Sequence, residues 1–135
     1  MKRFLILLAV VATCVVAGCV GEVNTYTDPG QTIDIGVNQE FVIALGSNRT
    51  TGYSWQASCD ETMLELVGGQ STYKLSEEAK QGVVGAGGVE YFRFKALKTG
   101  ETEITLVYKR LWEEPTPQDI TKVFTVNIRY RFIYY

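Results

Sequence analysis

The chain has 135 residues, 46% of them hydrophobic, and its 13 Lys and Arg against 15 Asp and Glu leave a formal net charge of −2. That is enough chain for one domain with its own core, and with no basic cluster it is not suited to binding nucleic acid. It has no histidine, which excludes Ser-His-Asp and Cys-His catalysis within the chain and removes the commonest metal ligand; no glycine loop followed by Lys-Ser or Lys-Thr is present either, so neither an enzyme nor a cofactor is expected.

Lys2 and Arg3 precede an almost wholly apolar stretch, residues 4–16, and the small residues Ala17 and Gly18 stand directly before Cys19. The stretch is shorter than the ~20 residues of a spanning helix and has the layout of a signal peptide. Residues 1–18 are therefore expected to be a lipoprotein signal peptide, with Cys19 lipidated after cleavage. The alternatives are an ordinary secretory signal cut near the same place and an uncleaved anchor. Lipidation predicts an extracytoplasmic protein held on a membrane, at the cell surface or in a periplasm. Of the three cysteines, Cys14 leaves with the leader and Cys19 takes the lipid. Cys59 remains as a small packing residue without a disulfide partner.

Residues 19–30 are mostly polar and end in the turn signal Asp28-Pro29-Gly30, which predicts a lipidated N-terminus and tether. Residues 31–135 are then the folded domain. Its apolar residues recur with period 2. Ile33, Ile35 and Val37 share a face in 32–37, and 40–45 is a continuous apolar run. Tyr53, Trp55 and Ala57 alternate with Ser54 and Gln56, and 63–67 is a short run. Phe92, Phe94 and Ala96 oppose Tyr91, Arg93 and Lys95. Ile104, Leu106 and Tyr108 share a face, and Phe124, Val126, Ile128, Tyr130 and Phe132 oppose Thr125, Asn127, Arg129 and Arg131. Alternation of this kind marks strands with one face buried. About seven to eight short strands with no long helical pattern predict an all-β, immunoglobulin-like β-sandwich. Residues 76–81 form at most a helical turn. The arginines of the last run are expected to guard a terminal edge strand against aggregation.

Three loops interrupt the pattern. In Asn48-Arg49-Thr50-Thr51-Gly52-Tyr53, Asn48 can bond local backbone and Gly52 can take a positive φ, so a tight corner is predicted. Asn48-Arg49-Thr50 also reads as a glycosylation acceptor, a pattern common by chance. Gly85-Ala86-Gly87-Gly88 leaves backbone bare, either as a flexible connection or for close main-chain pairing with a partner. Arg110-Leu111-Trp112 stands where the alternation stops, before Pro115 and Pro117. Trp112 there is either a packing residue or an exposed anchor, and Trp and Arg are the residue types that most often dominate interfaces.

The order and chemistry of these loops resemble the amoebiasin/chagasin family of inhibitors of papain-like cysteine proteases, over roughly residues 31–130. Family members carry Asn-Pro-Thr-Thr-Gly before an aromatic residue, then Gly-x-Gly-Gly, then Arg-Pro-Trp. Asn48, Thr50, Thr51, Gly52 and Tyr53 match the first, Gly85, Gly87 and Gly88 the second, and Arg110 and Trp112 the third; Trp55 matches a recurrent core tryptophan. Arg49 and Leu111 stand where the family has proline. The resemblance implies a monomeric inhibitor domain that occludes the protease cleft reversibly with residues 48–53, 85–88 and 110–112. At position 49 it implies a loop that forgoes proline's rigidity and carries a charge near the cleft. The alternative reading is a surface-anchored immunoglobulin-like binding module, without inhibitory activity, whose loops have drifted at Arg49 and Leu111.

Overall fold

The alternating runs pair into two packed sheets. The computed structural model describes residues 23–82 and 85–130; the leader, Cys19, Arg131 and Phe132 lie outside them. The strands are β1 (Asn24–Tyr26), β2 (Ile33–Gly36), β3 (Glu40–Ser47), β4 (Ser54–Cys59), β5 (Leu64–Leu66), β6 (Thr72–Leu75), β7 (Gly88–Ala96), β8 (Gly100–Lys109) and β9 (Ile120–Arg129). One sheet runs β1-β3-β7-β5, with β6 also paired to β7; the other runs β2-β9-β8-β4. The expected sandwich is present, with a one-turn α-helix, Glu77–Lys80, where at most a turn was expected.

The core lies between the two inner faces. Phe41, Phe94, Ile33, Ile43, Leu64, Ile104, Leu106, Phe124 and Val126 are fully buried. The pairing of Phe41 with Phe94 stacks their rings at 5.6 Å. Each such side chain contributes about 1.5–3 kcal/mol through burial, so these alternating positions hold the sandwich together. Cys59 is half-buried against this core. Burial and the neighbouring Glu61 and Asp60 push its thiol pKa up, which disfavours the reactive thiolate and suits a packing role.

Three expectations need correction. Residues 19–30 are not tether throughout: β1 pairs in parallel with β3, and Tyr26 meets the edge of the Phe41 ring at 6.2 Å. A strand of three residues is too short for alternation to reveal. β6 was missed for a related reason: it is polar and mostly exposed, so it carries no apolar stripe. The terminal strand β9 is not an edge. It lies between β2 and β8, and its arginine face guards no free ladder.

Strand direction gives the molecule two poles. Register pairs Ser47 with Gly88 and Ser54 with Lys109, so β3, β4, β7 and β8 all have ends at one pole. The segments 48–53, 85–87 and 110–119 attach there. β1 runs parallel to β3 toward that pole, so the chain enters β1 at the opposite one, where β9 also ends.

Candidate functional site

The first loop is a closed turn. Arg49–Thr51 form one 3-10 turn, with Asn48 as its extended cap. The Asn48 side-chain oxygen accepts from the Thr50 N–H at 3.2 Å and also from the Thr50 hydroxyl. The Thr51 hydroxyl donates to the Asn48 carbonyl at 2.6 Å. Gly52 ends the turn at φ +81 and donates its N–H to the Arg49 carbonyl. Both sequence expectations for this corner hold, the local bonding of Asn48 and the left-handed Gly52. Thr50 and Thr51 project into solvent.

The loop is tied to both neighbours. Toward the glycine loop, Asn48 Nδ2 donates to the Gly85 carbonyl at 2.8 Å. A glycan on that nitrogen would displace this bond. Toward the third loop, Arg110 Nε donates to the Thr51 carbonyl at 2.9 Å, its guanidinium carbon lies 4.7 Å from the Tyr53 ring centre, and it pairs with Glu113. Trp112 is 71% exposed, yet its ring edge lies over Gly52: a Cβ at position 52 would stand 2.3 Å from Cη2. Trp112 is thus an exposed residue seated on the first loop, and Leu111 beside it is exposed as well. Residues 48–53, 85–88 and 110–112 are brought together at one pole.

An aromatic stack supports them from below. Tyr53 lies 5.3 Å from Tyr108 and Tyr108 lies 4.9 Å from Trp55, centre to centre. Lys122 Nζ lies 5.7 Å from the centre of the Trp55 ring, so Trp55 as well as Tyr53 has a cation beside its ring. The Tyr108 hydroxyl accepts from the Asn48 N–H at 2.9 Å, and Trp55 Nε1 donates to the Gly46 carbonyl.

The glycines of the second loop have separate physical reasons. A Cβ at Gly88 would fall 2.2 Å from the Lys74 carbonyl, and one at Gly87 would fall 2.8 Å from the Ser47 carbonyl. Their bare backbone therefore admits the protein's own β6 and first loop. Gly85 is exposed and at φ +79, and a Cβ there would meet nothing within 4 Å, although its carbonyl is held by Asn48. Ala86 is half-buried between them.

Sequence reasoning missed Glu90, Tyr73, Tyr108 and Leu75. Glu90 is fully buried and accepts from the Ser47 hydroxyl at 2.9 Å and the Trp55 N–H at 3.2 Å. Its signal was available: position 90 is in phase with Phe92, Phe94 and Ala96, and a charge on a buried face demands partners. Tyr73 sits on the missed strand. Leu75, about half exposed, flanks the glycine loop where the Ser76 N–H bonds the Gly87 carbonyl. Arg49 departs most from expectation, because its side chain turns back onto Tyr73 and Glu90.

Residues 34–128 match the family model described as chagasin family peptidase inhibitor I42. Amoebiasin-1 of Entamoeba histolytica is 34% identical over 98 residues, which are 73% of this chain and 88% of that protein. Chagasin of Trypanosoma cruzi is 29% identical over 106 residues, 74% of this chain and 89% of its own. Among solved structures, the solution structure of amebosin superposes with a TM-score of 0.66 at 32% identity, covering 81% of this chain and all of that one. The crystal structure of the cysteine protease inhibitor EhICP2 from Entamoeba histolytica gives 0.62 at 26% identity, covering 80% and 98%.

Proposed function

The chain belongs to the chagasin family of peptidase inhibitors, and from that premise we propose that it blocks papain-like cysteine proteases by seating its three loops in the active-site cleft. It is an inhibitor of cysteine proteases and not an enzyme. The observation that carries the cleft-seating reading is the convergence of the three loops, bonded to one another, at one pole of a rigid sandwich.

The chemistry follows from the shape of the first loop. Proteolysis needs a carbonyl held in near-attack geometry. Residues 49–51 are instead wound into a turn closed by the Gly52 N–H, so Thr50 and Thr51 fill the catalytic centre without offering extended backbone to cut. Gly85 lends bare main chain for pairing beside the cleft, and Trp112 with Leu111 adds aromatic and aliphatic area. A wedge of this kind buries about 800 Å² per partner, the usual size for protease–inhibitor pairs. The scaffold orders the loops beforehand, which is the condition for tight binding at that size. All three loops come from one chain, so a monomer suffices.

Occlusion predicts a kinetic form. With a small peptide substrate, the inhibitor in excess over the protease and exchange with substrate brought to equilibrium, the apparent KM should rise and kcat stay unchanged. A fall in kcat at constant KM would place binding away from the cleft.

The reading extends to location. Cys19 after Ala17-Gly18 is proposed to carry the lipid that retains the protein on an extracytoplasmic membrane. In support, the chain enters β1 at the pole opposite the loops, so an anchor there leaves the loops facing away from the bilayer. Cys19→Ala is expected to release the protein into the soluble fraction, measured by phase partitioning. Retention of the processed variant with membranes would contradict lipidation.

A further inference from the structure

Arg49 occupies the position where a charge was expected near the protease cleft. Its side chain points the other way. The guanidinium carbon lies 4.6 Å from the centre of the Tyr73 ring, and Nε stands 3.4 Å from Glu90 Oε1. The side chain is 46% exposed and Glu90 is fully buried. That carboxylate also holds Ser47, the last residue of β3, and Trp55, near the start of β4. It therefore grips both strands that flank the first loop, and through Arg49 it grips the loop itself. Tyr73 adds a bond from its hydroxyl to the Ser47 carbonyl at 3.3 Å.

From this geometry we infer that Arg49, Glu90 and Tyr73 form a latch that pre-orders the inhibitory loop from behind, so that Arg49 is a positioning residue and not a protease contact. The inference rests on the reading of residues 48–53 as the part that enters the protease. Arginine suits the task because a planar guanidinium stacks on a ring while its edge donates to a carboxylate; a lysine ammonium is a point charge that cannot do both.

The backbone also shows what the latch replaces. Arg49 is the first residue of the turn, where an N–H has no helical partner to lose. Asn48 before it is extended, at φ −120 and ψ 91, outside the α region that a following proline disfavours. Proline would fit position 49 and stiffen the loop through the main chain. The arginine achieves order through its side chain, by a bond to a different strand.

Binding strength falls in proportion to the fraction of loops in competent form, so an untied loop ordered about a tenth of the time binds about tenfold more weakly. Arg49→Ala alone would leave Glu90 buried without its cation, a cost to folding as well as to the loop. The decisive pair therefore carries Glu90→Gln in both members, which removes the buried charge. Arg49→Ala with Glu90→Gln is expected to inhibit papain about tenfold more weakly than the unchanged protein. Arg49→Pro with Glu90→Gln is expected to recover most of that loss, with both variants melting within a few degrees of each other. A purely structural role for Arg49 would not produce recovery by proline. Two results would overturn the latch: the alanine pair inhibiting as strongly as the unchanged protein, or the proline pair remaining as weak as the alanine pair, which would make Arg49 a direct contact. Failure of the unchanged protein to inhibit would instead remove the functional reading, and the latch with it.

Discussion

Gly52→Ala is expected to weaken inhibition about a hundredfold, a loss of about 2.7 kcal/mol in binding, while the sandwich stays folded. Two effects act at this one carbon. The residue sits at φ +81, where a side chain costs about 1–2 kcal/mol. The added methyl would also stand 2.3 Å from Cη2 and 2.9 Å from Cζ2 of Trp112, closer than any stable contact. The cheapest relief is outward motion of the tryptophan, which is mostly exposed, together with unwinding of the turn that the Gly52 N–H closes. Both motions spoil the binding pole and neither reaches the core. Inhibition constants with parallel thermal melts check this: the melt should fall by only a few degrees, and unchanged inhibition would show that the contact between Trp112 and the first loop is dispensable.

The second large effect is expected from Thr51→Ala combined with Trp112→Ala, which should raise the inhibition constant by about two to three orders of magnitude. An aromatic anchor at an interface centre is worth ~2 kcal/mol or more on truncation. Thr51 loses a hydroxyl that braces the turn through its bond to the Asn48 carbonyl. The two sites are coupled in the free protein, since Trp112 lies over Gly52 and Arg110 bonds the Thr51 carbonyl. The double change should therefore differ from the sum of the single ones. Exposed residues of this kind contribute within about 0.5 kcal/mol to folding, so an intact melt is part of the expected result. Inhibition that survives the pair would show that these loops do not make the interface.

Much of this arrangement was legible in the chain. Alternation located β7, β8 and β9 because each has one face in the core, a continuous apolar run located β3, and Phe92, Phe94 and Ala96 lie buried where their spacing placed them. The loops were legible from Gly52, Trp112 and the glycine cluster, residues whose conformational or interface uses are few. Three things were not. β1 and β6 carry too few apolar residues for a period to emerge, and only pairing to β3 and β7 reveals them. The assignment of β3 and β4, neighbours in sequence, to different sheets depends on long-range pairing that local pattern does not encode. The direction of the Arg49 side chain depends on Tyr73 and Glu90, both far along the chain. Glu90 alone was detectable beforehand, as a carboxylate in phase with phenylalanines.

The central claim is tested most directly by titrating papain with the purified protein and following both residual activity and the integrity of the inhibitor. The account predicts stoichiometric inhibition at nanomolar concentration, recovery of activity on dilution and no cleavage within residues 48–53. Full papain activity at micromolar protein, or loss of inhibition as the first loop is cut, would contradict it.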